Sequence, residues 1–238
     1  MYKSKYAVNG LVYIHYLEPA DGFDLSKTAF VVCPGLSETA DEYLDLLEAV
    51  KPRRSVILSF RGRGKSGTPV SGYDLDEHIS DIEAVVQNAG LEQFHLFSYS
   101  RGVSYALGYA LKHQSKVKSL ILGDYPPEHK AMDKDWQDNY INNYLIPFNR
   151  TGQIRPAAVR AIQRDSQQID LKGRLDIPVL VARGLLEGSL VSDSDIARYN
   201  SICPQLIVKE YAASDHDLKG QDKNLFYNDI VAFINGID

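Results

Sequence analysis

The chain has 238 residues, 44% of them hydrophobic and 24% charged, with a formal net charge of −5. That balance belongs to an ordinary globular protein with apolar surface enough for a sizeable core, and the length fits one large domain better than two small ones. It argues against nucleic-acid binding, since the richest basic run, Arg61-Gly62-Arg63-Gly64-Lys65, is short and broken by glycine.

In chain order, residues 2–8 and 11–17 are β-prone runs joined by Asn9-Gly10, a two-residue hairpin signal. Residues 29–33 predict a strand bounded by Pro34-Gly35, and residues 38–50 a helix with Leu44, Leu46 and Leu47 among its apolar positions. A strand over 55–60 ends at Gly62 and Gly64. A helix over 75–89 carries Ile79, Ile82, Val85 and Val86 on one face and stops at Gly90. Strand 94–98, helix 101–112 and strand 117–122 follow; strands over 177–182 and 205–211 and an amphipathic helix over 224–234 close the chain. Near-continuous apolar strands alternating with helices predict an α/β fold: a mostly parallel, roughly eight-stranded sheet with helices on both faces.

One stretch breaks this rhythm. Residues 126–173 show no strand, are dotted with Trp136, Tyr140, Tyr144 and Phe148, and are too long for a plain connection. The expectation is a single domain over 1–238 with two or three short helices inserted as a lid over the C-terminal edge of the sheet, where open α/β sheets bind ligands. Trp136, Tyr140 and Tyr144, spaced by four, are the candidate substrate-contacting residues, although the same spacing suits packing onto the sheet.

Cys33 and Cys203 belong to no Cys/His cluster, so neither a metal site nor a disulfide is expected, and a reducing compartment is the default. The first residues lack the apolar stretch of a signal peptide, and no run approaches the ~20 apolar residues that span a bilayer. A cytoplasmic protein without membrane association is the expectation.

The most informative run is Leu96-Phe97-Ser98-Tyr99-Ser100-Arg101-Gly102-Val103. A buried strand passes directly into a helix, with Ser100 at the junction and a small residue two positions to either side. Such a turn forces strained dihedrals on the serine and lifts Oγ clear of the sheet beside a helix N-terminus. The simpler reading, a serine that caps the helix, is outweighed by what lies elsewhere in order along the chain.

With these motifs the sequence resembles the α/β-hydrolase superfamily. Pro34-Gly35 stands where the family carries His-Gly, and Ser59-Phe60-Arg61-Gly62-Arg63-Gly64-Lys65-Ser66 matches its Asp-x-Arg-Gly-x-Gly-x-Ser run with serine for aspartate. Ser214-Asp215-His216-Asp217-Leu218 stands at its terminal Gly-His-Asp-like motif, and Ser98 replaces the first small glycine of the elbow. The resemblance implies Ser100 as nucleophile and His216 as general base. His95 reads as a structural strand residue, and His15, His78, His113 and His129 as solvated. For the acid that orients the imidazole, Glu187, three positions after Gly184, is favoured over Asp124 at the end of the sixth strand. The oxyanion hole would comprise the backbone N–H groups of Arg101 and Leu36.

Dehalogenases and epoxide hydrolases of this fold carry aspartate at the elbow, and a serine suits acyl transfer instead. Gly64-Lys65-Ser66 resembles the end of a phosphate-binding loop, but Ser59 lacks the required glycine and Gly67-Thr68-Pro69 turns where a helix should begin. The expected activity is therefore cofactor-independent hydrolysis of a small-molecule ester, lactone or related carbonyl compound. A lyase or C–C bond hydrolase with the same residues is the alternative chemistry, and a non-catalytic ligand-binding protein of the same fold the alternative class.

Overall fold

The computed structural model describes residues 1–238. Its strands are β1 (Tyr2–Asn9), β2 (Val12–Pro19), β3 (Ala29–Cys33), β4 (Ser55–Leu58), β5 (Phe94–Tyr99), β6 (Val117–Gly123), β7 (Glu128–His129), β8 (Ile169–Asp170), β9 (Val179–Gly184) and β10 (Leu206–Tyr211). Its α-helices are α1 (Leu44–Ala49), α2 (Leu75–Asn88), α3 (Gly102–Lys112), α4 (Trp136–Tyr140), α5 (Pro156–Asp165), α6 (Asp193–Ile202) and α7 (Lys223–Asn235). Eight strands form one sheet in the order β1-β2-β4-β3-β5-β6-β9-β10. The β1/β2 hairpin and the β2/β4 pair are antiparallel, and every pair from β4 to β10 is parallel.

Side-chain alternation explains why the strands read as unbroken apolar runs. On β5, Phe94 and Leu96 enter the core on one face, and Phe97 and Tyr99 the core on the other. β9 divides in the same way, Val179 and Val181 against Leu180 and Ala182. The first face is covered by α2, α3 and α6, through residues such as Ile82, Leu107 and Tyr199; the second by α1 and α7, through Leu46, Leu47, Phe226 and Ile230. Both faces are dry, as a parallel sheet requires.

Two features depart from the sequence expectation. Helix α6 carries only Tyr199 and Ile202 as buried residues, too few for a visible period, and is started by a capping box in which Ser192 and Asp195 bond each other's backbone N–H. The segment between β6 and β9 is not strand-free: β7 pairs with β8 and pinches its base. Above that ladder, α4, a π-helical turn over Ile141–Leu145 and α5 gather a small core of their own from Ile141, Leu145, Ile154, Val159 and Ile162, joined by Tyr73. No helix is long and apolar enough to cross a membrane.

Candidate active site

Ser100 sits where β5 ends and α3 begins, with φ +53°, the left-handed region that a serine enters only under constraint. The constraint is visible in its neighbours. A Cβ on Gly102 would lie 2.3 Å from the Pro34 carbonyl oxygen, so helix and loop can meet only at glycine. The buried Ser98 hydroxyl donates to the Cys33 carbonyl at 2.8 Å, giving the serine that replaces the family's glycine a partner at the end of β3.

The Ser100 Oγ lies 3.0 Å from His216 Nε2, and His216 Nδ1 lies 2.8 Å from Oδ2 of Asp124. Asp124 is wholly buried, follows β6 at φ +44°, and also accepts the Ser189 hydroxyl at 2.6 Å and the Leu190 N–H at 2.9 Å. This corrects the preference for Glu187, whose side chain is exposed and makes no bond to the imidazole. The reason lies in the loop after β9. Leu185 and Leu186 donate their N–H groups to the carbonyls of Tyr211 and Ser214, so the loop runs along the histidine loop and turns Glu187 outward. Its next residues, Ser189 and Leu190, then reach back to Asp124. The close approach depends on Gly184, where a Cβ would fall 2.0 Å from the Asp215 carbonyl oxygen.

The backbone N–H groups of Leu36 and Arg101 donate to no other group of the chain. Leu36 lies in a turn of β3's trailing loop and lines the cavity that holds Ser100 and His216, with a volume of about 330 Å³. The Arg101 side chain runs the other way, buried beneath the inserted segment, where it donates to Ser166 Oγ at 2.8 Å and to the Lys130 carbonyl at 3.0 Å. Arg61 anchors the loop after β4 through a two-point pair with the buried Asp81. Ser59, standing for the family's aspartate, accepts the Ala40 N–H at 3.0 Å.

Tyr140 and Tyr144 line the cavity; Trp136, the third aromatic of the predicted set, does not, and stacks on Tyr140 at 5.1 Å while packing against the core of the insert. The Tyr140 hydroxyl donates to Ser37 Oγ at 2.7 Å, and burial pushes its pKa up to about 12, so it keeps its proton.

Three of the four histidines read as solvated are buried. His78 stacks on Tyr105 at 4.1 Å and shares a 2.9 Å contact with Arg63; burial, then that guanidinium, holds its pKa well below the usual histidine range. His129 is lowered to about 3 by burial and Arg101, and His15 is lowered by burial, then by Lys65. Each has polar partners that sequence periodicity does not register. His95, in β5, bonds Ser119 and Asp238 and is lowered to about 4, chiefly by burial.

Sequence reasoning missed Tyr99, Glu38 and Lys219. Tyr99 donates its hydroxyl to the His216 carbonyl and stacks its ring 5.4 Å from the imidazole. Glu38 and Lys219 bridge the loops on either side of Ser100. Lys219 follows His216 by three residues and Glu38 follows Gly35 by three, which was the available signal.

Comparison with known proteins bears on the fold that carries these residues. A family model described as alpha/beta hydrolase fold matches residues 28–143. "Probable lysophospholipase BODYGUARD 1" of Arabidopsis thaliana is 35% identical over 97 residues, 40% of this chain and 20% of that protein. "Haloalkane dehalogenase 2" of Mycobacterium tuberculosis is 27% identical over 124 residues, 50% of this chain and 42% of that one. The chain thus spans less than half the length of these curated relatives. The solved structure of an esterase from Exiguobacterium antarcticum superposes with a TM-score of 0.79 at 20% identity, covering 99% of this chain and 100% of the other. A likeness at that identity speaks for the fold. From sheet order, elbow and family match together, the chain has the fold of the α/β-hydrolase superfamily.

Proposed function

We propose that this protein is a cofactor-independent serine hydrolase acting on a small-molecule ester, lactone or related carbonyl compound through an acyl-enzyme on Ser100. The observation that carries the reading is the unbroken series from Ser100 Oγ to His216 to Asp124, 3.0 Å and 2.8 Å long, opening into the cavity beside Leu36. With Nδ1–H donated to Asp124, Nε2 presents a lone pair to the serine hydroxyl and takes its proton as Oγ attacks the carbonyl carbon. The N–H groups of Leu36 and Arg101, unspent within the chain, receive the oxyanion. Collapse expels the alcohol, which takes its proton from His216; water, deprotonated in turn, releases the acid.

Serine at the elbow favours this over the dehalogenation named in one relative, because alkyl displacement calls for a carboxylate nucleophile. The esterase named in the structural comparison and the cavity of about 330 Å³, at the small end of ligand sites, both fit a compact acyl substrate. The test is labelling by a fluorophosphonate probe together with turnover of p-nitrophenyl esters. Wild-type protein should be modified at Ser100 and should hydrolyse the acetate. A folded Ser100→Ala variant should lose labelling and about 10⁴-fold or more in turnover. Full activity in that variant refutes the mechanism.

A further inference from the structure

The turn that carries Leu36 is gripped at Gly35 from both sides by one residue. The Glu38 backbone N–H donates to the Gly35 carbonyl at 3.4 Å, and Oε2 of its carboxylate accepts the Gly35 N–H at 2.8 Å. The same Oε2 receives the Tyr43 hydroxyl, and Oε1 pairs with the Lys219 ammonium. That ammonium is held over the rings of Tyr43 and Tyr99, 4.2 and 4.8 Å from their centroids. Lys219 stands on the histidine loop and Tyr99 on the elbow, so the Glu38–Lys219 pair joins all three loops of the site. The loop has no slack: a Cβ on Gly35 would lie 2.7 Å from Glu38 Oε2 and 3.1 Å from Ser100 Cβ. Pro34 has no side chain that reaches across to hold this loop, and the carboxylate occupies that role.

We propose that Glu38 is a positioning residue for the oxyanion hole: clamped by Tyr43 and Lys219, it fixes Gly35 so that the Leu36 N–H faces the developing charge at Ser100. The inference rests on the serine-hydrolase reading. Glu38 and Lys219 also line the cavity, so a binding role would show as a raised KM, whereas a positioning role lowers kcat. Removing an oxyanion donor outright typically costs ~10²–10³ in turnover, and misaiming one costs part of that.

The experiment compares Glu38→Ala, Glu38→Gln and Lys219→Met with wild type for p-nitrophenyl acetate kinetics, the rate of Ser100 modification by a fluorophosphonate, and the thermal unfolding midpoint. Glu38→Ala should lower kcat and the modification rate together, by roughly 10–100-fold, with KM within about threefold. Glu38→Gln keeps an acceptor for the Gly35 N–H and should recover most of that loss, even where its unfolding midpoint falls as far as that of the alanine variant. Lys219→Met leaves the carboxylate on Gly35 and should lose less than Glu38→Ala. A Glu38→Ala protein that reacts with the probe at the wild-type rate overturns the assignment while leaving Ser100 as nucleophile. A Lys219→Met loss larger than that of Glu38→Ala overturns it too, since the ammonium would then act on the substrate itself. Wild-type protein that neither reacts with the probe nor turns over ester overturns both readings.

Discussion

Asp124→Asn is the sharpest perturbation available, because the surroundings of the carboxylate dictate how the amide settles. Oδ2 receives two N–H groups, from His216 at 2.8 Å and Leu190 at 2.9 Å, so the amide oxygen takes that place. The amide nitrogen then replaces Oδ1 and meets Ser189 Oγ, a hydroxyl that donates to Oδ1 at 2.6 Å and can equally accept. Orientation of the imidazole survives, and what is lost is the negative charge opposite the imidazolium that forms during attack. Two unit charges about 4 Å apart at an effective dielectric of ~20 interact by ~4 kcal/mol, which corresponds to roughly a thousandfold in kcat. Steady-state hydrolysis of p-nitrophenyl acetate measures it, with circular dichroism confirming the fold. Glu187→Gln, at an exposed position, should stay within about twofold of wild type. Adding Ser189→Ala to Asp124→Asn should cost more than the same change in the parent, because it frees the amide to turn its nitrogen toward the ring. The reasoning is refuted if Glu187→Gln loses more than Asp124→Asn, or if Asp124→Asn keeps activity within tenfold of wild type.

The other expectations concern the frame of the site. Gly184→Ala drives a methyl into the Ser214 and Asp215 carbonyls; it should cost about 1–3 kcal/mol in urea unfolding and displace the histidine loop, with a drop in kcat of at least tenfold, and an unchanged enzyme would refute the close contact. Tyr144→Ala, at a cavity-lining residue 37% exposed, should shift the preferred acyl chain length with little loss of stability. Trp136→Ala should instead destabilise by about 2 kcal/mol, half the cost of a fully buried aromatic, and leave chain-length preference alone; the reverse pattern would exchange their roles. His95, held neutral by burial at about 4 against an ordinary 6.5, stabilises the fold fully above pH 6.5, and that stability is lost as pH falls toward 4. His95→Gln should therefore remove about 2 kcal/mol of the stability lost between pH 7 and pH 5, read from urea midpoints, and an identical pH slope in the variant would refute it.

Much of this architecture was legible because β5, β6 and β9 feed apolar side chains to both faces, and because the Ser98-Tyr99-Ser100-Arg101-Gly102 run stands in order between the Arg61-Gly62 run and the His216 loop. Helix α6 escaped notice since its contribution to the core is two residues. The choice between Asp124 and Glu187 could not be made from spacing. β6 and β9 are neighbours in the sheet, so both carboxylates emerge at the same edge, and the decision rests on where the loop after β9 finds its partners. Those partners, the carbonyls of Tyr211 and Ser214, lie 26 and 28 residues from the N–H groups that bond them. The buried histidines were misread for a related reason: Arg63, Arg101 and Ser4 each meet one ring nitrogen of His78, His129 and His15 from elsewhere in the chain.

The β7/β8 ladder makes the two ends of the inserted segment leave and rejoin the sheet at a single splice point. Glu128 and His129 lie beside Asp170 and Ile169, and Arg198 of α6 holds Glu128, Asp170 and the Pro127 carbonyl together. Whatever lies between the paired ends closes a ring whose mouth is already set, so doubling its length costs only about 0.6 kcal/mol in closure entropy. A graft cut at 128 and 170 that restores the Lys130 and Ser166 partners of the buried Arg101 guanidinium would redraw the chamber over Ser100, which makes this ladder the natural seam for giving the scaffold a new substrate range.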